Sequence, residues 1–132
     1  NIADKPRFYA EAFRVLKPGG ILALLNGAAG EGEPYYPVPW AATPATSFLS
    51  TLDETRRDIA AAGFAIERFH DTTDDIRAQV AAQRRRAAAE GLPRLGLHVL
   101  MGDRMRTYLA NSQRSIEDGR LRIVEVLARK PG

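Results

Sequence analysis

Three aromatic residues in one loop are the strongest candidates for ligand contact in this chain. Tyr35, Tyr36 and Trp40 lie in a connection from Gly27 to about Ser47 that is rich in glycine and proline. Aromatic faces pack on small organic molecules and attract cationic ones, and a connection this long is often a lid or a binding loop. The same side chains also suit a purely anchoring role for the loop, and the sequence leaves both roles open.

The two histidines are the other candidates, because a histidine titrates near neutral pH and can act as a base. His70 closes an expected strand beside a helix start, where a capping or surface role is the alternative. His98 lies between apolar residues of an expected helix, where packing in the core is the alternative. The sequence therefore assigns no catalytic residue.

The remaining charged residues form no evident ligand cluster. Turn and capping chemistry explains three acidic pairs in a loop and at helix starts: Glu31/Glu33, Asp53/Glu54 and Asp74/Asp75. With two histidines and no cysteine, a metal-dependent hydrolase is rejected and no metal is expected. The run Arg84-Arg85-Arg86 points around more than half of a helix, which favours a solvated surface over a phosphate or nucleic-acid site.

The elements that would position these side chains are clearest at the start of the chain. Apolar residues from Phe8 to Leu16 recur at spacings of three and four, which predicts an amphipathic helix. Lys17 is expected to complement the helix dipole, and Pro18-Gly19-Gly20 ends the helix. The wholly apolar Ile21–Leu25 predicts a strand covered on both faces and broken by Asn26-Gly27.

Caps and periodicity predict the other elements. Thr51 and Glu54 have capping-box spacing for the next helix, with Ser50 as a second cap candidate. The remaining predicted elements are a strand from Phe64 to Phe69, a helix from Asp71 to Glu90, a helix from about Leu95 to Glu117 despite Gly96 and Gly102, and a strand from Leu121 to Ala128. The final Lys130-Pro131-Gly132 is expected to be the natural C-terminus.

Composition sets wider bounds on the protein. Its 132 residues suit a single domain, and no run approaches the roughly 18 apolar residues of a membrane span. The absence of cysteine excludes disulfides and fits a cytoplasmic location. Acids and bases are interspersed, so the net charge of +3 indicates solubility, and a nucleic-acid partner is not expected. The chain starts without Met, and we expect further sequence upstream.

Three adjoining segments carry a resemblance to a known family: Asn1-Ile2-Ala3-Asp4-Lys5, Phe8-Tyr9-Ala10-Glu11 and Arg14-Val15-Leu16-Lys17-Pro18-Gly19-Gly20. Together they look like the middle of a class I S-adenosylmethionine (SAM)-dependent methyltransferase, where such residues follow the fourth strand and lead into the fifth. The resemblance implies an α/β, partial Rossmann-like fold that holds strands five to seven of the family's sheet. Residues 1–132 would form a single α/β domain, the C-terminal half of a methyltransferase domain. Residues 71–117 would be a helical insertion, similar to that of enzymes acting on glycine derivatives.

The resemblance also implies a cofactor and a reaction. S-adenosyl-L-methionine would donate a methyl group to a small-molecule acceptor by direct displacement, with the enzyme holding the two in line. Asn1 would border the cofactor pocket, and Tyr35, Tyr36 and Trp40 would contact the acceptor. The Gly-rich SAM motif of the family is missing, because Gly27-Ala28-Ala29-Gly30-Glu31-Gly32 leads into a proline-rich loop and not a helix.

A missing upstream half has a physical consequence for the strand Ile21–Leu25. A strand that is central in the complete sheet would keep one edge unpaired here and leave apolar side chains exposed. We therefore expect a homodimer or larger oligomer, with the first strand or helix at the contact. The alternative reading is a non-catalytic α/β binding or dimerisation module.

Overall fold

The computed structural model describes residues 1–91, 99 and 102–132. Its helices are α1 (Lys5–Val15), α2 (Leu52–Ala61), α3 (Thr73–Glu90) and α4 (Arg104–Glu117), and its strands are β1 (Ile21–Ala29), β2 (Ala65–Asp71) and β3 (Leu121–Arg129). A short 3-10 helix, Pro44–Thr46, interrupts the connection between β1 and α2. Within the described residues, no helix combines the length and the apolar character needed to cross a membrane.

The three strands form one sheet in the order β1-β3-β2. The last strand, β3, is antiparallel to both neighbours, so β1 and β2 run parallel to each other. Ile21 lies opposite Arg129, and Ala29 lies opposite Leu121. The register of β2 shifts between Ile66 and Arg68, and this irregularity accounts for the interrupted alternation near Arg68.

Helices α1 and α2 cover one face of this sheet. The buried cluster beneath them joins one residue from each helix, one from the turn before β2 and three from β3: Tyr9, Ile59, Phe64, Val124, Val126 and Ala128. Leu22 and Leu24 of β1 pack against the same cluster. The alternating apolar residues of β3 thus hold the two helices on the sheet through hydrophobic contact.

The opposite face of β1 is open, so the predicted cover on both faces is wrong for this chain. Ile21 is 48% exposed and Leu25 is 62% exposed. Within the described residues, β1 pairs only with β3. The strand also continues through Asn26-Gly27, because pairing with the β-branched residues of β3 extends to Ala29 and overrides the turn propensity of Gly27.

The sequence signals at the start of α2 and at the end of α1 have different outcomes. The capping box of α2 is confirmed: Thr51 Oγ1 accepts from the Glu54 N–H at 3.2 Å, and the Glu54 carboxylate accepts from the Thr51 N–H at 2.8 Å. In contrast, α1 ends at Val15, and Lys17 lies beyond it. Arg14 is the basic residue of the last turn, and Lys130 Nζ donates to the carbonyls of Phe13 and Leu16 at this helix end, at 2.7 and 2.8 Å.

The predicted helix from about Leu95 to Glu117 is shorter in its described part. Gly102 has a φ of +56°, a left-handed conformation that a helix does not accommodate, and α4 begins at Arg104. Residues 92–98, 100 and 101 lie outside the described residues. His98 is among them, so its proposed roles stay predictions.

Candidate functional site

The connection from residue 30 to residue 51 starts at the carboxyl end of β1, the side of an open α/β sheet where ligands bind. Its first residues continue the pairing with the start of β3: the Gly30 N–H donates to the Arg120 carbonyl at 3.0 Å, and the Glu31 N–H to the Gly119 carbonyl at 2.8 Å. Its far end returns to the same edge, where the Ala29 N–H donates to the Ser50 carbonyl at 2.8 Å. Both ends of the loop are therefore fastened to this edge.

The side chain of Asn1 holds the middle of the loop. Its Nδ2 donates to the carbonyls of Trp40 and Thr46 at 3.1 and 2.7 Å, and its Oδ1 accepts from the Phe48 N–H at 2.8 Å. Lys5 adds a further link, since its Nζ donates to the carbonyls of Phe48 and, at 2.9 Å, of Ile2. Asn1, which the resemblance places at the cofactor pocket, thus uses its side-chain amide to bind the loop.

Trp40 lies half-buried in that loop. Its Nε1–H donates to Ser47 Oγ at 3.1 Å, so the polar edge of the indole turns toward its own loop. Val38 and Ala41, both buried, lie on either side of Trp40 and pair through reciprocal backbone hydrogen bonds of 2.9 and 3.2 Å. The loop therefore forms a hydrogen-bonded turn around Trp40.

Tyr35 is an anchor of the loop. Its hydroxyl donates to Asp118 at 2.8 Å, and its backbone N–H donates to Ser115 Oγ at 2.9 Å. The guanidinium carbons of Arg114 and Arg120 lie 4.0 and 4.6 Å from the centre of its ring. These cation–π contacts occupy the ring that was expected to contact an acceptor.

Tyr36 is half-buried and precedes a cis peptide bond to Pro37. The Pro37 carbonyl accepts from Asn111 Nδ2 at 2.9 Å, which fastens this part of the loop to α4. Sequence reasoning missed the α4 partners of the loop, because more than 70 residues separate them from it and polar residues on a helix give no signal of such a contact. The aromatics Tyr35, Tyr36 and Trp40 do share one loop, as expected, but they differ in what surrounds them.

His70 forms an exposed pair at the start of α3. Its Nε2 lies 3.1 Å from Asp75 Oδ2, which also accepts from Thr72 Oγ1 at 3.2 Å. The hydrogen bonds from His70 and then Thr72 hold the pKa of Asp75 below its ordinary value. Because His70 is exposed and pairs with Asp75 at the start of a helix, its surroundings favour the capping or surface role over that of a catalytic base.

Two clefts lie beside α3. One, of about 280 Å³, separates α3 from α4 and is lined mainly by Val80, Ala87, Leu109 and Ile116, with Arg77 and Arg84 beside them. The other, of about 250 Å³, brings acidic and basic side chains together at the base of α3. There Arg77 pairs with Asp74 at 3.0 Å, and Arg122 pairs with Asp71 at 3.1 Å.

Gly27, Gly30 and Gly32 have structural roles in the backbone. Gly27 lies within β1, and a Cβ on Gly30 would stand 1.9 Å from the Gly119 carbonyl oxygen. Gly32 adopts a φ of +88° beside the Arg120 side chain. In the part of the chain that the structure describes, no group of three or more His, Asp or Glu residues could hold a metal ion.

No protein-family model matches the sequence, and no curated protein matches it. Solved structures do match the fold. A candidate sarcosine dimethylglycine methyltransferase from Galdieria sulphuraria shares 20% identity over 99% of this chain and 49% of its own, with a TM-score of 0.67. Phosphoethanolamine N-methyltransferase 2 from Haemonchus contortus, in complex with SAM, shares 17% over 99% and 31%, with a TM-score of 0.70. A cyclopropane synthase from Mycobacterium tuberculosis shares 16% over 96% and 50%, with a TM-score of 0.63.

This is the fold of part of a methyltransferase. The chain spans half or less of the length of these three structures, while nearly all of it is covered. The three strands of the sheet, in the order β1-β3-β2, agree in number with strands five to seven, which the resemblance implies for this chain. The partial methyltransferase fold predicted from the sequence is confirmed.

Proposed function

We propose that this chain is the C-terminal, substrate-side half of a SAM-dependent methyltransferase that acts on a small molecule. The observation that carries the proposal is a three-stranded sheet with an open β1 edge, in a chain that matches methyltransferase structures over nearly its whole length but over half or less of theirs. S-adenosyl-L-methionine is the proposed cofactor, and one of these structures contains it.

The cofactor supplies a methyl group on a sulfonium, which a nitrogen, oxygen or carbon nucleophile of the acceptor can displace. The protein's share of such a displacement is alignment, because holding two reactants in line removes much of the entropic barrier. In this chain the loop that carries Trp40 is held at the carboxyl edge of the sheet, where an acceptor would lie. We assign Trp40 and Tyr36 to the acceptor wall and Tyr35 to its support.

The open face of the sheet changes character from β1 to β2. Ile21 and Leu25 are exposed and apolar, whereas Arg68 pairs with Glu125 at 3.3 Å on the β2 side of the same face. Apolar side chains next to an unpaired edge favour cover by another structural element, and ion pairs favour water. We propose that upstream strands and helices cover the β1 side in the complete protein, and that a second copy does so in the isolated chain.

The same proposal includes a cytoplasmic location, based on the cysteine-free composition. It also treats residues 71–117 as an insertion on the substrate side, since α3 begins and α4 ends at the carboxyl edge of the sheet. The Thr72 N–H donates to the Ile123 carbonyl at 2.9 Å, and the Arg120 N–H to the Ser115 carbonyl at 2.8 Å, which places both helix ends there.

The test is methyl transfer from labelled SAM by the longer protein that contains this chain. Small amines, hydroxyl compounds and glycine derivatives are offered as acceptors, and a labelled small-molecule product is expected. The same protein without residues 1–132 is the control and should transfer nothing. A longer protein that transfers no methyl group, together with a stable and folded isolated chain, would favour the non-catalytic binding or dimerisation module.

A further inference from the structure

We propose that Asn1 is a positioning residue, whose amide sets the place of the Trp40 loop relative to α1 and the sheet. The inference rests on the proposed function only in treating this loop as the acceptor wall. The resemblance gave Asn1 a place beside the cofactor. The hydrogen bonds of its side chain also link it to the loop that we assign to the binding site of the methyl acceptor.

The contacts of Asn1 brace the loop from within. One amide nitrogen bonds to the carbonyls of Trp40 and Thr46, two residues on opposite sides of the 3-10 helix start at Pro44. The amide oxygen accepts from the Phe48 N–H, the next point along the chain. A planar amide with both donors and its acceptor engaged fixes the spacing of these three backbone groups.

The segment that holds the loop is itself fixed to the core. Asp4 caps α1 by accepting from the Arg7 N–H at 3.0 Å, and α1 packs into the core through the buried Tyr9. Lys5, in the first turn of α1, reaches the Phe48 carbonyl. The loop position is therefore set by residues 1–5 and not by the loop sequence alone.

This arrangement separates two effects of losing the Asn1 side chain. The backbone of Asn1 can still border a cofactor, whereas the loop loses its brace. In the complete enzyme, Asn1→Ala should raise KM for the acceptor by a larger factor than it raises the dissociation constant of S-adenosylhomocysteine.

The direct test uses Trp40, which is the single tryptophan of the chain and therefore the only source of indole emission. In the 132-residue chain, Asn1→Ala should shift the emission maximum to longer wavelength and increase quenching by acrylamide. Asn1→Asp, nearly identical in shape, should shift it at least as far at neutral pH, because a carboxylate would face the Trp40 and Thr46 carbonyl oxygens. Asp4→Asn is the matched control, since asparagine also caps helices and Asp4 does not bond to the loop.

Two results would overturn the inference. Unchanged emission in both Asn1 variants would show that the amide does not hold the loop, and an equal shift in Asp4→Asn would show general loosening of the segment. If Asn1→Ala loses helical circular dichroism, Lys5→Met tests the second link to Phe48 and should shift the emission in the same direction, and its silence would also count against the inference. No cofactor or acceptor enters this measurement, so its outcome is independent of the methyl-transfer assay.

Discussion

Gly30 lies so close to Gly119 that a Cβ on Gly30 would stand 1.9 Å from the Gly119 carbonyl oxygen. This close approach places the start of the connection from residue 30 to residue 51 against the turn between α4 and β3. Gly30→Ala should therefore lower the free energy of unfolding by about 1–3 kcal/mol, the usual range for forcing extra volume into a packed site. Urea denaturation at fixed protein concentration measures it.

A substitution on the other side of the contact is the control. Gly119 has a φ of +70° with open space where a Cβ would lie. Asparagine tolerates this left-handed conformation, so Gly119→Asn should stay close to the parent in stability. Equal stabilities of the Gly30→Ala and Gly119→Asn variants would contradict the close approach.

The capping box of α2 makes the free energy of unfolding depend on pH. Hydrogen bonds from the Thr51 backbone and then the Thr51 side chain hold the pKa of Glu54 below its ordinary value. A lowered folded-state pKa stabilises the fold above the unfolded value, and this contribution disappears as pH falls through the folded value. Glu54→Gln keeps an acceptor for the Thr51 N–H but cannot titrate, so its stability should fall less than the parent's between about pH 5 and pH 3.

Two variants calibrate that measurement at neutral pH. Thr51→Ala removes the hydroxyl of the box and should cost about 1 kcal/mol. Ser50→Ala should cost little, because Thr51 and not Ser50 is the cap of α2. A Glu54→Gln variant with the same acid dependence as the parent would show that the carboxylate is not held by Thr51.

The C-terminal end of α1 depends on Lys130. Its ammonium donates to the carbonyls of Phe13 in the last turn and of the C-cap residue Leu16, and it lies 4.6 Å from the Phe13 ring centre. Lys130→Met keeps the aliphatic stem and removes the donors, so it should lower the free energy of unfolding by about 1.5–3 kcal/mol. Lys17→Met, at an exposed lysine beyond the helix, is the matched control, and equal losses in the two variants would refute the assignment.

These residues also show where prediction from the sequence stops. The helix stripe of α1, the capping box and the β-branched β3 are local patterns, and they were sufficient to predict most elements. The partial methyltransferase fold was predicted from the resemblance that residues 1–20 carry. Lys130 lies 114 residues from Leu16 and Arg120 lies 85 from Tyr35, so no local pattern could join them. The same holds for Asn1, whose partners begin 39 residues away.

The open side of β1 predicts self-association of the isolated chain. Sedimentation should show a homodimer or larger species, because Ile21 and Leu25 are exposed beside a strand edge that has no partner strand among the described residues. Leu25→Lys should reduce the mass toward the monomer. Leu109→Lys, which places the same charge on α4, should leave it unchanged. A parent chain that sediments as a clean monomer would contradict this prediction.

A calorimetric titration with S-adenosylmethionine tests whether this chain is part of a SAM-dependent methyltransferase. The 132-residue chain is titrated side by side with a longer protein in which the proposed upstream half precedes it. We expect saturable binding by the longer protein and no saturable heat from the chain alone, since the chain lacks the Gly-rich cofactor motif. A longer protein that gives no heat would contradict the assignment to SAM-dependent methyl transfer.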